Sequence, residues 1–427
     1  MLVQFTVKNF KSFKNETTLS LVASSTKEHK NKNTFQASRN ISLLKSATIY
    51  GPNASGKSNF FQAMCFMKNF IVNSSKETQS TEAIPVERFL LNTENAKNPS
   101  CFEITFIHKN TQYRYGFSVT EKEVSEEWLY YVPNVQELEV FVRKGQEFKL
   151  SRHFKSEQPL IDANRIRPNA LLLSVSAQFN GEIAKNIMEW FSSFNCISGI
   201  NSQKYGSITC HLSNTENGKN IVLNFLKKAD LGIDDFKIVE KEISPNNLPA
   251  AISEQMGGKN EKVIINEVKT SHKQYDSKGK IVGTIDFDLN NESRGTQKFF
   301  ELCGPIIDTL GDGKVLIVDE LDSRLHPKLI KAICQLFNSS QMNRNNAQLV
   351  FVSHNTNVLD KDLFRRDQIW FTEKDQYGAS ELFSLVEFKD PKNGKKVRND
   401  ASYEKSYLSG IYGSVPHVRD FEVNYGN

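Results

Sequence analysis

This 427-residue chain has few cysteines, little net charge and no long apolar run, and each shortage removes a class of protein. Its six cysteines, Cys65, Cys101, Cys196, Cys210, Cys303 and Cys334, are widely spaced, and no C-x-x-C occurs. That pattern signals neither a zinc knuckle nor a disulfide framework. It reads as isolated core thiols in a reducing cytoplasm. The most apolar stretches, such as Ala170 to Leu173 and Val315 to Val318, are far short of the roughly 18 residues that span a bilayer. The amino terminus alternates Val3, Phe5 and Val7 with polar residues, and Lys8 and Lys11 follow. A signal peptide would show a continuous apolar block there. A cytoplasmic chain with no membrane partner is expected. A net charge of +5 is too dilute to define a nucleic-acid surface, though it permits DNA as a partner.

What the chain does have is phenylalanine: 30 Phe, with 11% aromatic residues overall, enough for well-buried layers. At roughly 150 residues per domain the length corresponds to about three domain-sized units. Residues 2–7 alternate like a half-buried strand, and Ser46 to Tyr50 read as a more buried one. A helix begins at Lys57, with Phe60, Met64, Met67 and Ile71 on one face. Residues 101–107, 113–119 and 128–132 read as an antiparallel group. Helical character near 181–194 and 219–229 leads to a Pro-, Asn- and Gly-rich loop at 244–260. Residues 262–268 and 281–289 alternate again. The last third is an alternating α/β pattern: helix 296–310, strand 315–319, helix 327–338 and strand 348–353.

Three places carry chemistry. Gly51-Pro52-Asn53-Ala54-Ser55-Gly56-Lys57-Ser58 fits G-x-x-x-x-G-K-[ST], after a buried strand and opening a helix. Such a loop curls backbone N–H groups around an anion, and the helix N-terminus adds partial positive charge. The expected nucleotide contacts are Asn53, Ala54, Ser55, Gly56, Lys57, Ser58 and Asn59. Lys57 would reach the β- and γ-phosphates, and the Ser58 hydroxyl would be a ligand for Mg²⁺. The second place is Val315-Leu316-Ile317-Val318-Asp319-Glu320, a doubly buried strand ending in two carboxylates. Beside a phosphate loop, Asp319 is expected to hold Mg²⁺ through water, and Glu320 to orient and deprotonate the attacking water. The third is Val350-Phe351-Val352-Ser353-His354-Asn355, another buried strand with a polar end. Between the first and second lies Ser293-Arg294-Gly295-Thr296-Gln297, opening a helix in which Gly304-Pro305 predicts a bend.

In this order the motifs resemble the ABC-type ATPases of the SMC/RecF/OLD kind. Val7-Lys8-Asn9-Phe10-Lys11-Ser12-Phe13 is similar to that family's first strand and nucleotide-base loop. Gly51 to Ser58 resembles its Walker A, and Ser293 to Gln297 a divergent signature. Asp319 and Glu320 resemble Walker B, Leu321-Asp322 the D-loop, and His354 the switch histidine. Asp319 to Pro327, Arg366 to Phe371 and Tyr407 to Pro416 bring the chain closest to the AAA-type ATPases of phage-defence and abortive-infection loci. The implied fold class is an α/β P-loop NTPase: an ABC-type ATPase head of mixed sheet, helices and an antiparallel β subdomain, split by a globular α/β insertion. The signature departs from the transporter wording, with Arg294 where the first Gly would stand. The Q-loop residue is not obvious; Gln178 is the candidate, against a plain helix-start residue.

More than half of the chain's length separates Ser58 from Gly295, whereas Gly295, Asp319 and His354 follow one another closely. The ATPase is therefore expected as a lobe at 1–134, an insertion at 135–285 without sustained heptads, and a second lobe at 286–427. The resemblance implies a head-to-tail dimer. In it, ATP lies between one chain's phosphate loop and the Ser293 to Gln297 helix start, Gly295 included, of the other. The catalytic group would be Glu320, Lys57 and His354. The resemblance also implies a sensor or scaffold of an anti-phage system that controls a separate effector, a nuclease. The alternative reading is a RecF-like repair ATPase that clamps DNA as an ATP-closed dimer. The insertion and missing signature wording speak against a transport subunit. Asp286-Phe287-Asp288 could be mistaken for a nuclease metal site, but its alternation with Ile285 and Leu289 predicts a half-buried strand with solvated acids.

Overall fold

The computed structural model describes all residues except 77–78, 201, 244–262, 391–393, 399, 414 and 416–427. The loop expected at 244–260 lies outside the described residues. The chain forms two compact units. One comprises Met1–Ser198, Thr309–Asp322 and Ile330–Asn427; the other comprises Gly199–Asp308 and Ser323–Leu329.

The first unit contains two large sheets. The seven-stranded one runs Glu147–Leu150, Leu138–Lys144, Val124–Val132, Thr111–Val119, Ser100–His108, Leu2–Lys8 and Thr17–Ser20, antiparallel throughout. Alternation explains it: Phe5, Val7, Phe102, Ile104, Phe106, Tyr115 and Phe117 are buried, while their chain neighbours are more exposed or polar. The boundary expected near residue 134 falls inside this sheet. Leu138–Lys144 pairs with Val124–Val132, placing Val142 opposite Trp128. Hydrogen bonds along an antiparallel hairpin hold both strands in one body, so residues 135–198 stay with the first unit.

The six-stranded sheet runs Phe194–Ser198, Val315–Asp319, Gln348–Val352, Ser46–Tyr50, Ile369–Lys374 and Ser380–Ser384. Its first five strands are parallel, and only Ser380–Ser384 is antiparallel. Ser46–Tyr50 and Gln348–Val352 are buried at every position, as strands covered on both faces must be. The helix Lys57–Asn73 belongs to one apolar cluster with residues of both sheets. Phe60 meets Phe5 and Phe13 edge-on at 5.5 Å each, and Phe70 meets Phe117 at 5.4 Å. All six cysteines are free thiols, Cys65 of this helix among them.

A second packing device fixes the segment after residue 166. Glu127 and Arg143 are both fully buried and lie 3.5 Å apart. Glu127 accepts from the Tyr115 hydroxyl at 2.9 Å and from the Leu172 and Leu173 N–H groups at 2.7 and 3.0 Å. Arg143 donates to the Ala170 and Gly145 carbonyls at 2.6 and 2.7 Å. The helix Leu172–Gln178 thus starts on a buried carboxylate, which satisfies its first free N–H groups.

In the second unit, Asp235–Ile243, Val263–Tyr275 and Ile281–Asp288 form an antiparallel sheet. Phe236 packs edge-on against Phe300 of the helix Arg294–Asp312 at 5.5 Å. Pro305 lies inside that helix and removes the N–H that would bond the Glu301 carbonyl. The Thr209 hydroxyl stands in nearby, donating to the Phe300 carbonyl at 2.8 Å and accepting from the Gly304 N–H at 2.9 Å. The boundary expected at 285 falls inside the strand Ile281–Asp288. That strand also departs from the half-buried expectation: Ile285 and Phe287 are 40% and 42% exposed. Asp286 and Asp288 pair with Lys237 and Lys269 at 3.3 and 3.1 Å.

Candidate nucleotide-binding site

Parallel strands deliver their carboxyl ends to one edge, and the loops beyond that edge build the site. Four neighbouring strands of the six-stranded sheet do so here. Ser46–Tyr50 leads to Gly51, Val315–Asp319 to Glu320, Gln348–Val352 to His354, and Ile369–Lys374 ends on Lys374. Together Asn53, Ala54, Ser55, Gly56, Lys57, Ser58, Asn59, Glu320, His354 and Lys374 line one cavity of ≈ 330 Å³. The seven from Asn53 to Asn59, with Glu320 and His354, are all expected from the motifs, and Lys374 is not.

The loop's glycines are dictated by what surrounds them. A Cβ on Gly51 would collide with the Thr372 carbonyl and hydroxyl; one on Gly56 would collide with Ser380 and Ser12. Gly56 also caps the helix at φ +113, and Ala54 sits at φ +64, so consecutive N–H groups curve inward. Lys57 is buried and donates to the Gly51 and Pro52 carbonyls at 2.7 and 2.8 Å. Burial lowers its ammonium to about 8, against the opposing pull of Asp319, Asp322 and Glu320. The Ser58 hydroxyl donates to Asp319 Oδ1 at 3.3 Å. Burial raises the Asp319 carboxyl to about 6, with Ser58 opposing and Glu320 reinforcing. An alcohol and a carboxylate side by side at the phosphate loop are hard oxygen donors of the kind that Mg²⁺ takes, few at a time, alongside phosphate oxygens. The residues present therefore fit that ion.

Glu320 stands at φ +50, a left-handed conformation that an acidic side chain with a Cβ adopts at a cost of roughly 1–3 kcal/mol. The turn aims it into the cavity instead of continuing the strand. Its neighbour Leu321 donates N–H to the Val352 carbonyl at 3.2 Å. Asp322 accepts the His354 N–H at 2.9 Å, tying the two strand ends together. Partial desolvation and the Lys57 charge hold the His354 imidazole below its usual value.

Beneath the loop lies a hydroxyl cluster that motif reading missed. Ser55 Oγ and Thr372 Oγ1 are 2.5 Å apart, and Ser380 Oγ donates to the Ser55 carbonyl at 2.6 Å. Ser12 Oγ accepts from Asn59 Nδ2 at 2.8 Å and lies 2.8 Å from Ser380 Oγ, to which it can donate. The base-loop stretch thus meets the phosphate loop through Ser12. Tyr407 stacks on Phe371 at 5.4 Å, and Tyr412 lies at the same distance from that ring, which explains the aromatic spacing of the Tyr407 segment.

Other candidates lie elsewhere in the chain. Gln178 ends the helix Leu172–Gln178, donates to the Ser75 carbonyl at 3.2 Å and is not among the cavity-lining residues named above. Ser293 and Gly295 belong to the second unit. There Ser293 Oγ accepts the Thr296 N–H at 3.1 Å, and the Gln297 amide donates to the Asn290 and Glu292 carbonyls at 3.0 and 2.8 Å. A Cβ on Gly295 would press on the Arg324 carbonyl at 2.8 Å. This is a firmly capped helix start.

Residues 46–163 and 216–360 match the family model described as "AAA domain, putative AbiEii toxin, Type IV TA system". No curated protein matches the chain. Among solved structures it is similar to the SMC head domain from Thermotoga maritima, at 13% identity over 90% of this chain and 98% of that one, with a TM-score of 0.41. It is similar to an SmcHead bound to the C-winged helix domain of ScpA at 12% identity, over 90% and 97% of the chains, with a TM-score of 0.38. The recombination mediator RecF in its RecFOR-pathway structure stands at 12% identity, over 90% and 98%, with a TM-score of 0.35.

Proposed function

The chain belongs to that AAA-domain family, and from this premise we propose that it binds ATP in the cavity and hydrolyses it to ADP and phosphate. The observation that carries the proposal is the meeting of Glu320 and His354 with the phosphate loop in one cavity. A loop that only stored nucleotide would have no need of a strained carboxylate aimed at the phosphate end. In this reading Asn53 to Asn59 cradle the phosphates through backbone N–H groups, and Lys57 neutralises their charge. Ser58 and Asp319 hold Mg²⁺, which screens phosphate charge when bound. Glu320 accepts the proton of the attacking water, and His354, fixed through Asp322, faces the same space.

The capped Ser293 to Gln297 helix start supports a head-to-tail dimer in which one chain's helix N-terminus meets the γ-phosphate held by another. ATP would then close the dimer and hydrolysis would open it. The family description supports placing this switch in a toxin–antitoxin or abortive-infection setting, with a separate effector nuclease as its output. Light scattering tests the switch. ATP with Mg²⁺ should change the protein's hydrodynamic size, and Lys57→Ala should abolish the change. A full ATP-dependent shift in Lys57→Ala would refute the role given to the loop.

A further inference from the structure

Another cavity of the first unit, of ≈ 350 Å³, has no lining residue in common with the phosphate-loop cavity. It opens between the seven-stranded sheet, the turn after Glu147–Leu150 and the helix Glu182–Ser192. Aromatic rings form its walls. Tyr113 and Tyr131 stand opposite each other on neighbouring strands, with ring centroids 6.5 Å apart and planes 24° from parallel. The His153 ring lies 6.0 Å from Tyr131 and is turned 73° to it. Its Nε2 accepts from Arg152 Nε at 3.0 Å, which fixes the ring. Two half-buried tyrosines side by side, with a third ring steeply inclined to one of them, make an aromatic corner. The faces of such rings attract cations.

Glu157 lines the same cavity and is only 4% exposed. Its carboxylate accepts from the Ser156 hydroxyl at 3.3 Å, and among the described residues no cation pairs with it. Glu127, by contrast, is buried with Arg143 beside it. Packing holds the Glu157 group in place: a Cβ on Gly181 would collide with Glu157 Oε1 and with Ser176 Oγ, itself buried without a hydrogen-bond partner. A carboxylate removed from water without a counter-charge is costly, and a cation entering the cavity offsets that cost. The exposed Glu182, at the first position of its helix, adds a second acid to the lining. Among the described residues no three His, Cys, Asp or Glu are grouped to hold a metal ion, and two acids against aromatic walls lack the oxygens that Ca²⁺ or Mg²⁺ takes. We propose that this cavity binds an organic cation, an alkylammonium or a guanidinium, with Tyr113, Tyr131 and His153 along its face and Glu157 as its counter-charge. A free amine and an arginine side chain of another protein share that chemistry. The site is independent of whether the phosphate-loop cavity hydrolyses ATP.

The test is isothermal titration of the full chain, without nucleotide and at constant ionic strength. The probes are choline, its uncharged carbon analogue dimethylbutanol, and a Gly-Arg-Gly peptide blocked at both ends. A cationic probe should bind saturably, and dimethylbutanol should bind about tenfold more weakly than choline or not at all. Glu157→Gln should weaken cation binding by about tenfold or more. Tyr131→Leu should weaken it roughly 2- to 30-fold, whereas Tyr131→Phe keeps the ring and should bind like wild type. Choline binding more tightly than the peptide identifies a small amine as the ligand; the reverse identifies a side chain on a partner protein. The proposal is overturned if neither cation binds saturably up to about 50 mM, where even a site with a Kd of about 1 mM is nearly full. It is also overturned if dimethylbutanol binds as well as choline, or if Glu157→Gln binds the cations like wild type. If Glu157→Gln fails to melt cooperatively, the choline and dimethylbutanol comparison and the two Tyr131 variants decide.

Discussion

Two of the places where the first unit buries charge do it differently. Around Glu127 and Arg143 every charged atom has protein partners: a tyrosine hydroxyl and two backbone N–H groups for the carboxylate, and main-chain carbonyls for the guanidinium. At the sheet edge Lys57 leans on two carbonyls, and the Asp319 side chain meets the Ser58 hydroxyl at 3.3 Å. The first cluster lies under a helix start within the apolar core; the second lines a cavity. Buried charge alone does not identify a functional site. What sets the second place apart is that its charged groups face an opening.

The largest effect should come from the closed cluster. Glu127→Ala leaves Arg143 buried with carbonyls but no counter-charge, and should cost about 3–5 kcal/mol in denaturant melts. Replacing both residues by apolar side chains of similar volume should recover most of that loss. If the single and double changes cost the same, the pair is not acting as a unit.

At the cavity, pH should matter more than stability. Asp319 ionises as pH rises through about 6, and Lys57 loses its proton as pH rises through about 8. Phosphate and metal need both charges, so kcat/KM, which reports the free protein, should fall on each side of that window. Each limb should approach tenfold per pH unit. A profile flat from 5 to 9, on the order of two units beyond the window in sum, would contradict these assignments. The smallest effect is expected from Asp319→Asn. The raised carboxyl means that its ionised form is destabilised by the fold above its unfolded value, so the neutral amide should stabilise the chain at neutral pH. The gain should be about 1 kcal/mol in thermal melts, with loss of Mg²⁺-dependent turnover.

The parallel core and the polar residues at its edge are legible in the sequence because they are local. Val315 to Val318 and Val350 to Val352 are apolar runs that only a doubly covered strand explains, and each ends on its polar group within one or two residues. The phosphate loop is likewise contiguous. What escaped the sequence depends on partners far along the chain. Ser380 meets Ser12 and Ser55 across more than three hundred residues, and single hydroxyls carry no periodic signal. Lys374 reads as one lysine at the end of a strand until the sheet order places it beside Tyr50's loop. The expected lobe boundary at 134 lies between two strands of one hairpin, whose pairing depends on residues on either side of it. Ile285 and Phe287 alternate like a buried face, and alternation does not say whether anything covers it.

The central claim is that Glu320 turns a nucleotide-binding loop into a hydrolase. It is tested most directly by comparing Glu320→Gln with wild type for equilibrium ATP binding and for phosphate release in the same buffer. The predicted result is unchanged affinity with turnover reduced about 10²- to 10⁴-fold, the usual worth of a general base. Wild-type turnover in Glu320→Gln would contradict it.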